Sequence, residues 1–149
     1  MNNSIGYFIL YIYLEDKKLL FPGMYSGVDI KKELYVERDK IFQSCLDEGW
    51  IEQQDIENQD KTLDRRTAAR ILHEYMRRRL GIKDLEDITQ AYELRDLFDC
   101  RVCANHIAQV YLRGIIEPVM FEMLKIFDVY GEVTENEIVS YVNKTIGMR

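Results

Sequence analysis

The chain has 149 residues, of which 47% are hydrophobic and 31% are charged. This balance is that of an ordinary globular domain and argues against a disordered or fibrous protein, so one domain over residues 1–149 is expected. The 26 acidic and 20 basic residues give a formal net charge of −6, which argues against nucleic acid as a specific partner. No apolar run approaches the roughly 18 residues of a membrane span, so we expect no membrane insertion.

The first residues and the cysteines bear on the compartment. An apolar run over residues 5–14 has no Lys or Arg before it, and Glu15-Asp16-Lys17-Lys18 follows where a secretory signal would carry small residues. The three cysteines are an odd number, which a disulfide framework in a secreted domain would avoid. Both features predict a cytoplasmic protein.

Residues 1–27 are predicted to form a β-hairpin. Apolar and aromatic side chains alternate in two sets, Tyr7, Ile9, Tyr11 and Tyr13 on one face and Phe8, Leu10, Ile12 and Leu14 on the other. Residues 19–21 return as the partner strand, which Pro22-Gly23 ends. If the tyrosine face is exposed, the first strand offers an edge for a homodimer.

From Asp29 onward the apolar spacing predicts helices, so the expected fold class is mainly α. One helix ends at Gly49, a polar loop covers residues 52–61, and a helix capped by Asp64 runs to Gly81. Further helices are predicted over residues 87–98, 99–113 and 119–129, the last with Pro118 in its first turn. Thr134 and Glu137 form a capping box for the final helix.

The helical part divides into two similar halves, residues 28–82 and 83–149. The first half carries Gly49-Trp50-Ile51 after its helix and the second carries Gly114-Ile115-Ile116, and each is followed by a connection and a capped helix. This pattern predicts two helix-pair repeats. The alternative is a coincidence between two amphipathic helix pairs.

The two halves resemble the S-layer homology (SLH) repeat, in which a helix ending in Gly-Ile-Ile leads through a loop to a Thr-Arg-Ala-Glu helix start. The matching residues are Phe98-Asp99, Ile107, Gly114-Ile115-Ile116 and Thr134 to Glu137 in the second half, and Gly49-Trp50-Ile51 and Asp64-Arg65-Arg66-Thr67 in the first. The resemblance implies a helical repeat fold that binds an anionic cell-wall polysaccharide, with Arg65 as a contact and the cell wall as the compartment. In the second half Glu135 stands in the place of that arginine.

Basic residues fall on one face of the helix that begins at Asp64. Arg66, Arg70, His73 and Arg77, here called the basic strip, lie within a narrow sector of the helix, and Arg65 widens it. Guanidinium groups suit carboxylates and phosphates, so these five residues are the predicted contacts for an acidic protein partner or an anionic ligand. The alternative is a solvated or internally paired face, because Glu74 lies four residues from both Arg70 and Arg78.

Cys100, Cys103 and His106 are the candidates for a metal or redox site. A single C-x-x-C motif fits buried core thiols, half of a zinc site or a redox pair, and the last two would make the protein a small zinc- or thiol-dependent enzyme. The sequence contains no Gly-rich phosphate loop, Gly-x-Ser-x-Gly elbow or His-Glu-x-x-His motif. The leading prediction is therefore a non-enzymatic binding or scaffold module without a cofactor.

Overall fold

The computed structural model describes residues 2–148 and is mainly helical, with 58% helix and a small antiparallel sheet. The helices are α1 (Ile5–Leu20), α2 (Arg38–Asp47), α3 (Gln53–Glu57), α4 (Arg65–Arg78), α5 (Ala104–Leu112) and α6 (Glu135–Ile146). The strands are β1 (Val119–Phe121) and β2 (Leu124–Ile126), and short turns of π- or 3₁₀-helix cover Ile30–Leu34, Tyr35–Glu37, Thr89–Glu93, Leu97–Asp99 and Arg101–Cys103. Among residues 2–148, no helix has both the length and the apolar character needed to cross a membrane.

The predicted N-terminal β-hairpin over residues 1–27 is wrong, because α1 occupies this part of the chain. Ser4 caps the helix by accepting a hydrogen bond from the Tyr7 backbone N–H at 3.1 Å. The buried side chains follow helical spacing, with Ile5, Phe8, Ile9, Ile12 and Asp16 among them. Since the α1 backbone bonds within the helix, the strand edge invoked for a homodimer does not exist.

Aromatic side chains fill the core where α1, α2 and α4 meet their neighbours. Phe8, Phe42, Trp50, Tyr75 and Phe127 are among the largest fully buried side chains. The rings of Trp50 and Tyr75 meet edge to face with centroids 5.3 Å apart, a favoured aromatic arrangement. α1 packs against α2 and α6, and α4 packs against α5 and α6.

The helix predicted over residues 119–129 is also wrong, because this segment forms the β1–β2 hairpin. Val119 pairs with Ile126 and Phe121 pairs with Leu124, which leaves a two-residue turn. Both turn residues have positive φ, 48° at Glu122 and 66° at Met123, as type I′ hairpin turns require.

Two other segments differ from the prediction. The loop expected over residues 52–61 contains the short helix α3, whose N-terminus is closed by reciprocal bonds between Glu52 and Asp55. The helix expected over residues 87–98 is replaced by two 3₁₀ turns, Thr89–Glu93 and Leu97–Asp99. These changes leave the mainly α class intact.

The predicted helix starts at Asp64 and Thr134 are confirmed. Asp64 Oδ1 accepts from the Thr67 N–H at 2.8 Å, and Thr134 forms the capping box with Glu137. The two starts lie side by side, since the Val133 N–H donates to the Leu63 carbonyl at 2.9 Å. The N-terminal ends of α4 and α6 are therefore neighbours.

Candidate functional site

A cavity of about 520 Å³, here called the polar cavity, lies at the N-terminal end of α4. Residues from α3, the loop between α3 and α4, α4, the segment before α5 and α5 itself line it, including Glu52, Asp55, Lys61, Arg66, Arg70 and His106. Its volume falls within the range of small-ligand sites. A second cavity of about 470 Å³ beside α1 carries Lys31 and Asp60 as its charged residues and contains none of the predicted contacts.

Arg70 of the basic strip forms the inner wall of the polar cavity and is paired. Its two terminal nitrogens donate to the two carboxylate oxygens of Asp55 at 2.6 and 2.9 Å. Asp55 is buried, and its Oδ2 also accepts from the Glu52 backbone N–H at 2.8 Å. Burial alone would lower the pKa of Arg70, but the bonds to Asp55 outweigh it and raise that pKa. The Arg70 charge is thus permanent and compensated.

Arg66 and Lys61 carry the accessible cationic groups of the polar cavity. Arg66 donates from Nε to Asp64 Oδ2 at 3.1 Å, its guanidinium lies 4.8 Å from the Tyr130 ring centroid, and its side chain is 41% exposed. Lys61 is exposed and, within residues 2–148, has no ion-pair partner. Both groups can meet a ligand without breaking a buried contact.

Arg65, the other predicted contact at this end of α4, lies beneath the surface. It is only 4% exposed and donates to the carbonyls of Phe127 and Glu117, at 2.6 Å in each case, and to the Tyr141 hydroxyl at 3.0 Å. Its guanidinium therefore joins α4 to the segments around the hairpin and to α6. It does not line the polar cavity.

The two histidines form a hydrogen-bonded chain that ends at Asp84. His73 is 3% exposed, its Nε2 lies 2.6 Å from Asp84 Oδ1, and its Nδ1 lies 2.8 Å from Nδ1 of His106. Burial, followed by the neighbouring His73, lowers the pKa of His106 to about 4. Burial alone would raise the pKa of Asp84, but hydrogen bonds from His73 and Asn105 hold it below its ordinary value. Of the two histidines, His106 lines the polar cavity.

Arg77 lies at the far end of the basic strip from the polar cavity. Its Nη1 donates to Glu74 Oε1 at 2.9 Å, and its Nε is 3.7 Å from Asp84 Oδ1. Arg78 pairs with the other Glu74 oxygen at 3.2 Å. The structure therefore divides the basic strip between the cavity, a buried histidine and an exposed ion-pair cluster.

Cys100 and Cys103 line the polar cavity as a disulfide. A disulfide sulfur is not a thiolate, so this pair offers no metal ligand in the oxidised state. Cys45 is buried elsewhere in the core, and burial raises the pKa of its thiol well above the ordinary value. In the described part of the chain, the side chains spaced to hold a metal ion are those of His73, Glu74 and His106, whose ligand atoms lie within 4.8 Å of one another.

Two important acids were not singled out from the sequence. Asp55 belongs to a polar segment interpreted as a loop, although its spacing from Glu52 is that of a capping box. Asp84 begins an acidic stretch, residues 84–87, that could pair with the basic strip, but no local pattern singles out its contact with His73, which lies 11 residues away. No family model matches the sequence, and neither the curated proteins nor the solved structures include a significant match.

Proposed function

We propose that this protein is a non-enzymatic binding module that holds an anionic ligand in the polar cavity. The supporting observation is that Arg66 and Lys61 place accessible cations on one concave surface of about 520 Å³. Of the basic strip, only the end at the polar cavity is therefore proposed to contact the ligand. Arg77 is exposed but turned to Glu74 and Asp84, and His73 is buried.

The chemistry of the polar cavity fits a ligand that carries both charge and hydrogen-bonding groups. The Arg66 bond to Asp64 uses Nε, so the two terminal nitrogens are left to grip a carboxylate or phosphate. Gln54, Asn58 and Thr62 supply amide and hydroxyl groups along the same wall. Acidic side chains of a protein partner and an acidic saccharide share this chemistry. If the ligand is a protein partner, we propose that the complex forms in the cytoplasm.

The saccharide alternative follows from the SLH resemblance and would place the protein at the cell wall. It is supported by the adjacent starts of α4 and α6, and by Gly49 and Gly114, which end α2 and α5 with similar positive φ of 87° and 72°. In this alternative Arg65 acts by fixing the hairpin and α6, because its guanidinium is already bonded. Arg66 would then make the direct contact.

Titration calorimetry with two probes tests the proposal, a hexaglutamate peptide and a short polygalacturonate. We expect binding of at least one probe at about 50 mM salt and marked weakening at about 500 mM, since exposed charges are screened. Arg66→Gln and Lys61→Gln should each weaken binding about tenfold, whereas Lys40→Gln on α2 should not change it. Preference for polygalacturonate would favour the cell-wall alternative, and preference for the peptide would favour a protein partner.

The proposal fails if neither probe binds or if Arg66→Gln and Lys61→Gln bind as the unmodified protein does. The further alternative of a zinc- or thiol-dependent enzyme depends on Cys100, Cys103 and His106. A Cys100→Ser, Cys103→Ser double variant that still binds the probe with unchanged affinity would separate ligand binding from the thiols.

A further inference from the structure

We propose that His73, His106 and Glu74 form a zinc site. Each of the three side chains offers one ligand atom, and these three atoms lie within 4.8 Å of one another. Two imidazoles and one carboxylate are a ligand set that zinc accepts with a fourth position left for water. The site uses neither of the proposed anion contacts, Arg66 and Lys61, although His106 lines the same cavity, so the failure of either proposal leaves the other intact.

Asp84 sets the state of His73 that a metal needs. Its Oδ1 lies 2.6 Å from His73 Nε2, so this nitrogen carries the proton and donates to the carboxylate. The lone pair of His73 is then on Nδ1, which faces Nδ1 of His106 at 2.8 Å. A carboxylate behind a ligating histidine is the arrangement that fixes ring orientation in zinc sites. Asn105 holds the other Asp84 oxygen at 3.2 Å.

His106 can exchange its hydrogen bond for a coordination bond. In the metal-free protein its Nδ1–H donates to the lone pair of His73 Nδ1, since two bare nitrogens would repel at 2.8 Å. When zinc binds, that proton moves to His106 Nε2 through solvent, and both Nδ1 lone pairs are free for the ion. His106 stays neutral and no proton is lost. His106 also lines the polar cavity, which gives the ion a route from solvent.

Glu74 completes the ligand set with a carboxylate whose present partners are exposed arginines. Its two oxygens accept from Arg77 and Arg78, whose side chains are 43% and 54% exposed. Exposed pairs of this kind contribute little, so one arginine can move into solvent when an oxygen turns to the metal. The negative charges of Glu74 and Asp84 balance the positive charges of Arg77 and Arg78 in the metal-free protein.

Zinc titration of untagged protein is the test, followed both by calorimetry and by imidazole ¹⁵N NMR. The chain has two histidines, so their ring signals can be assigned with one variant. We expect about one equivalent of zinc and shifts of the Nδ1 signals of both rings. His106→Gln and Glu74→Gln should weaken binding at least about tenfold, and the exposed acid variant Glu57→Gln should bind as the unmodified protein does.

Two measurements separate this site from a thiolate site: zinc binding by the Cys100→Ser, Cys103→Ser variant, and the cobalt spectrum of the unmodified protein. We expect this variant to bind zinc with unchanged affinity, and cobalt in the unmodified protein to show no thiolate charge-transfer band. The proposal is overturned if the unmodified protein does not bind zinc, if the two Nδ1 signals do not shift, or if the cysteine variant alone loses the metal. The NMR measurement uses the unmodified protein and so does not depend on a variant's folding.

Discussion

Asp55 accepts hydrogen bonds from both terminal nitrogens of Arg70, at 2.6 and 2.9 Å. Asp55 itself is only 2% exposed. These hydrogen bonds join α3 to α4, and both residues line the polar cavity. The same carboxylate accepts the Glu52 backbone N–H and so closes the start of α3. Asp55 thus both caps the start of α3 and holds the Arg70 guanidinium in place.

Asp55→Asn should therefore lower the free energy of unfolding by about 2–4 kcal/mol, because Arg70 loses its two-bond partner and keeps only the exposed Glu52 carboxylate, 3.7 Å away. The measurement is urea denaturation at neutral pH. Asp60→Asn is the matched control, since Asp60 is exposed and has no ion-pair partner within residues 2–148, and its effect should stay within about 0.5 kcal/mol. Equal midpoints for the two variants would contradict a structural role for the Asp55–Arg70 pair.

Arg65→Met tests whether Arg65 is structural. The change removes the donors to the buried Phe127 carbonyl and the partly buried Glu117 carbonyl and should cost about 2–4 kcal/mol, because both acceptors lose their partner. Arg66→Met, one residue along α4, should cost less than about 1 kcal/mol because its side chain is 41% exposed. A stable Arg65→Met protein that has lost ligand binding would instead make Arg65 a direct contact.

The N-terminal error shows what a short apolar run leaves undecided. Alternation and helical spacing coexist over residues 5–14, because nearly every second and every third or fourth residue there is apolar. Tertiary packing settles the choice, since α1 is covered by α2 on one side and α6 on another and buries more than one face. One local signal favoured the helix, Ser4 as its N-cap.

Local chemistry was read more successfully than long-range contacts. The caps at Asp64 and Thr134 were predictable because a cap is made by residues three positions apart. The hairpin at residues 119–126 was not, because its turn residues Glu122 and Met123 lack the Asn-Gly signature of a type I′ turn. The basic strip was placed on one helix as expected, but its pairing with Asp55 and Asp84 depends on segments that helical periodicity does not position.

The metal-free protein should lose stability between about pH 6.5 and pH 4. The pKa of His106 is about 4 in the folded chain and 6.5 as the ordinary value, so the unfolded chain takes up its proton first as the pH falls. The contribution of His106 to the free energy of unfolding is therefore complete above pH 6.5. It falls through this window by roughly 1–2 kcal/mol, after allowance for the partial exposure of the ring. Urea midpoints measured with EDTA should follow this course.

His106→Gln is the control for that pH dependence. Glutamine cannot titrate, so the variant's stability should change less between about pH 6.5 and pH 4 than that of the unmodified protein. Asp84 does not mimic the effect, because its pKa is lowered and its contribution is lost only below its ordinary value of 3.8. Parallel curves for the two proteins would show that His106 is protonated equally in the folded and unfolded chains.

The β1–β2 turn carries strain that a two-residue change should relieve. Glu122 and Met123 both have positive φ, a region that costs side-chain-bearing residues other than Asn and Asp about 1 kcal/mol each. Glu122→Asn with Met123→Gly installs the preferred type I′ pair and should raise the free energy of unfolding by about 1 kcal/mol. Met123 is 92% exposed, so no packing is lost.

Met120→Gly inside β1 is the control with the opposite expected effect. It should lower the free energy of unfolding, since Met120 is a paired strand residue. A loss of stability in the turn variant would contradict the left-handed geometry at Met123.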